Sequence, residues 1–298
     1  MKIALLGATG YIGRSLLFEA QTRGLTVIPY TRDIKKAEDI FRKYSIHLDN
    51  TLHIYSDLNK EKYDVIINAA GIGSQAQLAK KSQYISSVTE SLDSMLLNYL
   101  EANPHTRVFT MSSGVVHSLD KQKESNDDAS SIEDTYALAK EASEARHRTY
   151  KEYTIVDLRI FTFFSRFVDV NDTFLLSQIV ASLENNEEFL TNPKDIMRDI
   201  ITTEDLLDTI LFLINSAPAN AAYDIVSKGA VKKFELLNYL KDTWNLSYAI
   251  AGDEQESPTG QKDSYCPSSN TLKEMGYNPK FTSLEGVHKE ITERLRTA

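Results

Sequence analysis

The chain has 298 residues, enough for one large domain and a smaller lobe, since a typical domain has about 100–200 residues. Its formal net charge of −9, from 42 acidic and 33 basic residues, opposes binding to a nucleic-acid backbone, and no basic patch offsets it. No apolar run approaches the ~20 residues needed to cross a bilayer, so insertion into a membrane is not expected.

Short apolar runs rich in β-branched residues alternate with longer amphipathic stretches in the first half of the chain. The runs predict buried strands at residues 2–6, 25–30, 52–55, 65–68, 108–111 and 154–158. The amphipathic stretches predict helices at residues 13–22, 34–44, 87–101 and 134–152. This alternation indicates an α/β fold with a doubly wound parallel sheet. Pro29 predicts an early end to the second strand, because proline cannot donate to a sheet ladder.

Beyond Arg159 the alternation becomes irregular, and helices are predicted at residues 174–184, 203–215, 233–244, 269–275 and 283–295. We therefore predict a dinucleotide-binding domain at 1–160, to which segments near 196–227 return. Residues 161–195 and 228–298 are expected to form a smaller, substrate-binding lobe. The polar stretches 118–133 and 253–267 lack periodicity and are predicted to be loops.

A glycine-rich turn, Gly7-Ala8-Thr9-Gly10-Tyr11-Ile12-Gly13, follows the first predicted strand and opens the first helix. Glycine allows the backbone to turn tightly and to approach a pyrophosphate at a helix N-terminus. Two residues separate the first two glycines, one more than in the usual dinucleotide fingerprint, so the motif is a variant. It predicts a nicotinamide dinucleotide held by Gly7, Thr9, Gly10, Tyr11, Ile12 and Gly13; a purely structural turn is the alternative.

The end of the second strand bears on the choice between NADP(H) and NAD(H). A carboxylate there normally binds the ribose 2′-hydroxyl, whereas this strand ends in Tyr30-Thr31-Arg32 and places a cation where a 2′-phosphate would lie. Arg32 therefore favours NADP(H). Two alternatives stay open, namely that Asp33 binds a ribose and that Arg32 is merely solvated.

Further cofactor contacts are expected at the carboxyl ends of the third and fourth strands, where open α/β sheets bind ligands. Small residues at these places leave room for a dinucleotide. The residues are Asp57, Leu58, Ala69, Ala70 and Gly71.

Tyr136 and Lys140 lie four residues apart and hence on one face of a predicted helix. A phenol, with an ordinary pKa of ~10, becomes a competent acid or base near neutrality only beside positive charge. Chance alone would produce this spacing about once in a chain of this composition, so its context must decide. That context is Ser112-Ser113-Gly114 after the fifth strand, which offers hydroxyls to a reacting carbonyl oxygen.

With these motifs the chain resembles, over nearly its whole length, an extended short-chain dehydrogenase/reductase of the NAD-dependent epimerase/dehydratase family, in its nucleotide-sugar branch. The resemblance implies a Rossmann sheet with a smaller substrate lobe. It implies that Ser113 is the catalytic hydroxyl, that Tyr136 is the general acid/base, and that Lys140 tunes the tyrosine and binds the nicotinamide ribose. A nucleotide-diphosphate sugar and a second copy of the chain are the implied partners.

Two later segments extend the resemblance. Residues 198–205 resemble the family's Arg-Asp-aromatic-apolar segment, whose arginine contacts the substrate diphosphate, and this role would fall to Arg198. Residues 158–165 occupy the place of Leu-Arg-x-Phe-Asn-x-Tyr-Gly, with Thr162 instead of the substrate-contacting asparagine. His117 replaces the tyrosine of a Val-Tyr-Gly element and either faces the sugar pocket or is an ordinary surface or core residue.

Gly114 and Val115 stand where the family's dehydratases carry an Asp-Glu pair, which disfavours dehydration. The leading hypothesis is NADPH-dependent reduction of a 4-keto-6-deoxy nucleotide-diphosphate sugar, with Tyr136 as general acid. The alternatives are an NAD-dependent nucleotide-sugar 4-epimerase and a catalytically silent dinucleotide-binding sensor. No metal is expected, because the histidines and Cys266 lack ligand spacing. A single cysteine and the absence of a leader pattern predict a cytoplasmic protein.

Overall fold

The computed structural model describes residues 1–73, 78, 80–117, 132–252 and 264–297. The predicted loop at 118–133 lies outside these residues up to position 131, and its last two residues begin a helix. The predicted loop at 253–267 lies outside them up to position 263, and a short strand follows at Ser264–Tyr265.

A seven-stranded parallel sheet forms the centre of the fold. Its strands are β1 (Ile3–Leu6), β2 (Val27–Thr31), β3 (His53–Ile54), β4 (Val65–Asn68), β5 (Arg107–Ser113), β6 (Ile155–Ile160) and β11 (Ala221–Asp224). They lie in the order β11-β6-β5-β4-β1-β2-β3, so that β1 pairs with β2 and β4. The predicted α/β class with a doubly wound parallel sheet is confirmed. Because the strands are parallel, their carboxyl ends meet at one edge.

Helices flank the sheet and build the second half of the chain. They are α1 (Tyr11–Thr22), α2 (Ile34–Lys43), α3 (Ile85–Ala102), α4 (Ile132–Thr149), α5 (Leu175–Asn185), α6 (Thr203–Asn215), α7 (Lys233–Trp244), α8 (Thr271–Glu274) and α9 (Ser283–Thr297). Short 3₁₀ helices cover Tyr55–Lys60 and Ser82–Tyr84. The C-caps of α5 and α7 are Asn186 and Asn245 in the left-handed conformation, which asparagine tolerates better than most residues.

Pro29 does not end the second strand, contrary to the sequence prediction. β2 continues to Thr31, and Pro29 pairs with Leu5 of β1. On the other side, β3 pairs only with Tyr30 and Thr31. Proline is tolerated because β3 does not extend to Pro29, so no hydrogen bond from its nitrogen is needed on that side.

Short strands in the second half were not predicted, because segments of two or three residues are too short to show periodicity. They are β7 (Thr162–Phe164), β8 (Phe189–Thr191), β9 (Met197–Arg198), β10 (Ile200–Thr202), β12 (Val231–Lys232), β13 (Tyr248–Ile250) and β14 (Ser264–Tyr265). They form three small sheets, β10-β7, β12-β9-β14 and β13-β8.

Three large hydrophobic clusters form the packing. One joins the central sheet to α1 and α6, a second joins the sheet to α3, and a third joins α5, α7 and α9 to the small strands. The boundary between the dinucleotide-binding domain and the smaller lobe remains a proposal, drawn where the sequence analysis placed it. None of the helices that the structure describes is long and apolar enough to cross a membrane.

Candidate functional site

The glycine-rich turn connects β1 to α1 at the carboxyl edge of the sheet. Gly7 has φ +75°, and its carbonyl accepts a hydrogen bond from the Gly10 amide at 2.8 Å. Helix α1 then begins at Tyr11 with Gly10 as its N-cap, and no side chain caps this end. Uncapped amides at a helix N-terminus suit an anion such as a pyrophosphate.

The glycines are needed because the turn packs against backbone. A Cβ on Gly7 would lie 2.5 Å from the Ala70 amide nitrogen, and one on Gly13 would lie 2.1 Å from the Gly7 carbonyl oxygen. The absence of side chains thus allows the turn to close against itself and against the end of β4. This closed backbone cradle fits a dinucleotide pyrophosphate, and it lies against Ala69 and Ala70.

Gly13→Ala is expected to lower the free energy of unfolding by at least about 1–3 kcal/mol, because the new methyl group meets a fixed carbonyl. Urea unfolding measures this loss, and we expect binding of a nicotinamide dinucleotide to weaken with it. Gly229→Ala is the matched control, since a Cβ there meets only the Thr282 methyl group at 3.6 Å. Equal stability of the two variants would contradict the close packing of the turn.

The remaining residues predicted in the turn have structural contacts of their own. The Thr9 carbonyl accepts from Arg14 Nη1 at 3.3 Å. Tyr11 Oη accepts from the Ser165 amide at 2.7 Å, a contact that the sequence did not reveal. Ile12 is half-buried and packs against the main core. Gly71, at the end of the β4 segment, is exposed and has φ +150°.

Arg32 is exposed at the end of β2. Asp33, the alternative ribose ligand, caps α2 instead, and its Oδ1 accepts from the Lys36 amide at 3.0 Å. Asp57 is paired with Lys60 at 2.7 Å, and Leu58 is fully buried in the core. Arg32 therefore leaves an exposed guanidinium at this corner, beside the exposed side chain of Asp33.

Tyr55 interacts with Arg32 and with the backbone of Gly7, although the sequence did not single it out. Burial raises the pKa of Tyr55, and the charge of Arg32 and a hydrogen bond with the Gly7 backbone oppose that shift. Its only sequence signal is an aromatic residue directly after the third strand, which is too common to be informative.

The structure brings Ser113, Tyr136 and Lys140 together. Ser113 ends β5, and its hydroxyl hydrogen-bonds with the phenol of Tyr136 on α4. Burial raises the pKa of Tyr136 to about 12, against the effect of the Ser113 hydrogen bond. Lys140 Nζ lies 5.7 Å from the Tyr136 ring centroid and donates to the Met111 carbonyl at 2.8 Å. A phenol that stays protonated is suited to act as an acid.

Buried charges lie behind Lys140. His147 Nδ1 is 2.9 Å from Asp157 Oδ1 and His147 Nε2 is 3.4 Å from Asp93 Oδ1, and all three side chains are at most 2% exposed. Burial lowers the pKa of Lys140, and the charges of Asp93, Asp157 and Glu144 counteract this. We call Asp93, His147 and Asp157 the buried triad. The sequence did not reveal it, because its members lie on α3, α4 and β6.

A second polar group supports the end of β5. Glu144 Oε1 accepts from the Ser112 hydroxyl at 2.6 Å, and Glu144 Oε2 accepts from Arg159 Nη2 at 2.5 Å. These contacts tie α4 to β5 and β6. They fix the position of α4, which carries Tyr136 and Lys140, along the strand that ends in Ser113.

Arg198 and Thr162 lie in the small sheets on the substrate-lobe side. Arg198 is buried on β9, which pairs in register with Val231 on β12 and with Tyr265 on β14. The Thr162 hydroxyl is buried and has no hydrogen-bond partner among the described residues. Buried hydroxyls usually have a hydrogen-bond partner, so an unpaired one marks a position at which a partner from outside the chain would be accommodated.

His117 is half-buried and hydrogen-bonded, and these contacts leave open both sequence alternatives, a residue that faces the sugar pocket and an ordinary surface or core residue. Its Nε2 is 2.9 Å from Asp224 Oδ1, and its ring stacks on Phe161 at 5.9 Å. Phe161 also fills the space beside Gly114, where a Cβ would lie 2.5 Å from the ring.

Residues 3–226 match the family model described as the NAD dependent epimerase/dehydratase family. Curated proteins gave no match. dTDP-glucose 4,6-dehydratase from Bacillus anthracis, solved with NAD, has a TM-score of 0.76 at 14% identity, covering 99% of this chain and 97% of its own. UDP-glucuronic acid 4-epimerase from Bacillus cereus, solved with UDP-glucuronic acid and NAD, gives 0.76 at 14%, covering 100% of both chains. UDP-glucose 4-epimerase from Thermotoga maritima, solved with UDP-glucose, gives 0.78 at 14%, covering 100% and 99%. At such identities the likeness shows the fold alone.

Proposed function

Because the chain belongs to the NAD-dependent epimerase/dehydratase family, we propose that it reduces a 4-keto-6-deoxy nucleotide-diphosphate sugar with NADPH. The observation that carries this proposal is the contact of the Ser113 hydroxyl with the Tyr136 phenol, beside the Lys140 ammonium. All three lie at the same sheet edge as the glycine-rich turn. Catalytic groups and a dinucleotide cradle thus face one crevice.

The proposed chemistry assigns one task to each side chain. Ser113 and Tyr136 hydrogen-bond the keto oxygen, and Tyr136 Oη gives it the proton. Lys140 stabilises the resulting phenolate by its charge, in addition to binding the nicotinamide ribose. When bound, the reduced nicotinamide supplies the hydride. The product is a secondary alcohol.

Binding of the two ligands is assigned to residues on either side of this centre. The glycine-rich turn and the small residues at 69–71 would hold the dinucleotide, and Arg198 would hold the substrate diphosphate as a guanidinium fork. Thr162 offers its hydroxyl to the sugar. Gly114 and Val115 supply neither the acid nor the base that elimination of water needs, which speaks against dehydration.

NADPH is proposed over NADH because Arg32 is exposed beside the turn while Asp33 is engaged in capping α2. We expect Arg32→Ala to raise the KM for NADPH by about 10-fold or more, since hydrogen bonds to charged groups contribute about 1.5–3 kcal/mol. The KM for NADH should change little. Arg42→Ala, which removes an exposed arginine from α2, is the control. An equal effect of Arg32→Ala on both cofactors would refute the 2′-phosphate assignment.

A nucleotide-sugar 4-epimerase is the second candidate. Two of the similar structures are 4-epimerases, and the proposed roles of Ser113, Tyr136 and Lys140 also serve oxidation followed by reduction of a sugar carbon. Such an enzyme retains NAD and shows no net consumption of cofactor. A silent dinucleotide-binding sensor is disfavoured by the intact Ser113, Tyr136 and Lys140.

One assay separates these functions. Purified protein is mixed with NADPH or NADH and a panel of 4-keto-6-deoxy nucleotide sugars, and absorbance is followed at the reduced-nicotinamide band. Stoichiometric loss of NADPH establishes the reductase. In a parallel incubation with UDP-glucose and NAD, followed by chromatography of the nucleotide sugars, conversion to the 4-epimer without net loss of cofactor establishes the epimerase. Cofactor binding with neither reaction indicates the sensor.

A further inference from the structure

His117 is held in a defined orientation one turn beyond Ser113. Its amide donates to the Gly114 carbonyl at 3.2 Å, and its Nε2 is 2.9 Å from Asp224 Oδ1. Asp224 is a buried carboxylate at the end of β11. A carboxylate on one ring nitrogen fixes the tautomer of a neutral histidine, so Nε2 donates and Nδ1 is left as an acceptor. No described residue is hydrogen-bonded to Nδ1.

The ring of His117 is the end of a row of aromatic side chains. It stacks on Phe161 with an angle of 16° between the ring planes, and the Phe161 ring centroid is 5.3 Å from that of Tyr265. Tyr265 in turn is the register partner of Arg198. We call Tyr265, Phe161 and His117 the aromatic row. It runs from the strand of the proposed diphosphate ligand to the turn that follows the proposed catalytic serine.

This arrangement matches the size and chemistry of a sugar ring attached to a diphosphate. An aromatic surface accommodates the apolar C–H face of a pyranose, while a single fixed polar group at its end orients it. The row lies between the groups proposed to bind the diphosphate and the reacting carbonyl. At the serine end of the row, His117 Nδ1 is an acceptor that has no hydrogen-bond partner among the described residues.

We propose that the aromatic row carries the sugar ring and that His117 Nδ1 binds one of its hydroxyl groups, which makes His117 a specificity-determining residue. The inference rests on the proposed function, since it needs a nucleotide sugar in the crevice. According to this inference, His117 contributes to the part of the binding free energy that comes from the sugar. Other residues supply the part that comes from the nucleotide. Fixing the ring through Asp224 lowers the entropy lost when the hydroxyl is bound.

A purely structural role for His117 would be to donate a hydrogen bond to Asp224. Arg159 Nη1 also lies 3.7 Å from that carboxylate, so a cation is present there without His117. Two amide variants separate the roles, because each retains one side of the imidazole. His117→Asn keeps a polar atom near the place of Nδ1, and His117→Gln keeps one near the place of Nε2.

The experiment compares the Kd values of UDP and UDP-glucose, and of dTDP and dTDP-glucose, in the presence of NADPH. In the wild type the sugar should tighten binding relative to the nucleotide alone. His117→Gln and His117→Ala should weaken binding of the nucleotide sugar by about 3- to 10-fold, the value of one hydrogen bond, and leave the nucleotide Kd unchanged. His117→Asn should keep most of the sugar contribution. The Kd of NADPH is the folding control for all variants.

Two outcomes overturn the inference, and they differ from failure of the proposed function. If His117→Gln binds UDP-glucose and dTDP-glucose as the wild type does while His117→Asn is destabilised, His117 serves Asp224 alone. If every variant weakens the nucleotide and the nucleotide sugar equally, His117 does not contact the sugar. A wild-type protein that binds no nucleotide sugar at all overturns the proposed function together with this inference.

Discussion

Replacing Tyr136 with phenylalanine is expected to reduce kcat by at least ~100-fold, since general acid catalysis typically contributes that much. The Tyr136 hydroxyl is the proposed proton donor, and it is hydrogen-bonded by Ser113 with the Lys140 ammonium 5.7 Å from its ring centroid. Loss of the hydroxyl removes the proton donor and leaves the ring in place, so binding of NADPH should be nearly unchanged. The effect should appear with every accepted substrate.

The measurement is steady-state turnover by cofactor absorbance, with the NADPH Kd determined in parallel. Tyr150→Phe is the matched control, because Tyr150 directly follows the helix that carries Tyr136 and lies far from Ser113 along the chain. This control should retain full activity. Turnover of Tyr136→Phe within a few-fold of the wild type would contradict the proposed acid, provided that its unfolding curve matches that of the control.

The second large effect is expected on stability, from the buried triad. His147→Leu removes the partner that Asp93 and Asp157 share. Asp157 keeps its ion pair with Arg148 Nη2 at 2.5 Å, whereas Asp93 stays buried without an ion-pair partner among the described residues, and breaking a buried pair in this way costs about 3–5 kcal/mol. Urea unfolding at neutral pH measures the loss. His105→Leu, at an exposed histidine, should change the free energy of unfolding by less than about 0.5 kcal/mol.

The same triad predicts how stability depends on pH. Hydrogen bonds and charge from Asp157 and Asp93 outweigh desolvation and raise the pKa of His147 to about 9. An unfolded histidine has a pKa of about 6.5, so the folded state binds this proton more tightly. The stabilisation is therefore complete below about pH 6.5 and is lost as the pH rises through about 9.

The difference in free energy of unfolding between the wild type and His147→Leu isolates this contribution from other groups that titrate. It should be largest near pH 6 and should shrink between pH 7 and pH 9.5. A difference that stays constant over this range would show that His147 is not protonated in the folded protein.

The parts of the candidate site that are formed by residues close together in the sequence could be predicted from it. The glycine-rich turn was visible because a strand, a tight turn and a helix must follow one another there, and Tyr136 and Lys140 share a helix face. The buried triad was not, because three separate elements contribute one ordinary polar residue each. Its contacts depend on tertiary packing alone.

Sequence-based predictions also failed where the conformation of a residue depends on an element that is distant in the sequence. Pro29 lies within a strand because β3 stops short of it, a length that the sequence does not specify. Asp33 was left open as a ribose ligand, and only the start of α2 shows that its side chain caps a helix. Tyr55 interacts with the Gly7 backbone from across β2, which separates β3 from β1, and no motif marks that proximity.

The Phe161 ring beside Gly114 also constrains how this chain could evolve. An aspartate at position 114, the first step toward the acid pair of a dehydratase, would place its Cβ 2.5 Å from that ring. The ring would have to move, and with it the stacking on His117 and Tyr265. A single substitution at position 114 therefore cannot introduce the acid needed for elimination of water. Position 161 would have to change first or at the same time, and that change would remove part of the surface proposed for the sugar. The two residues should covary among relatives that differ in this chemistry.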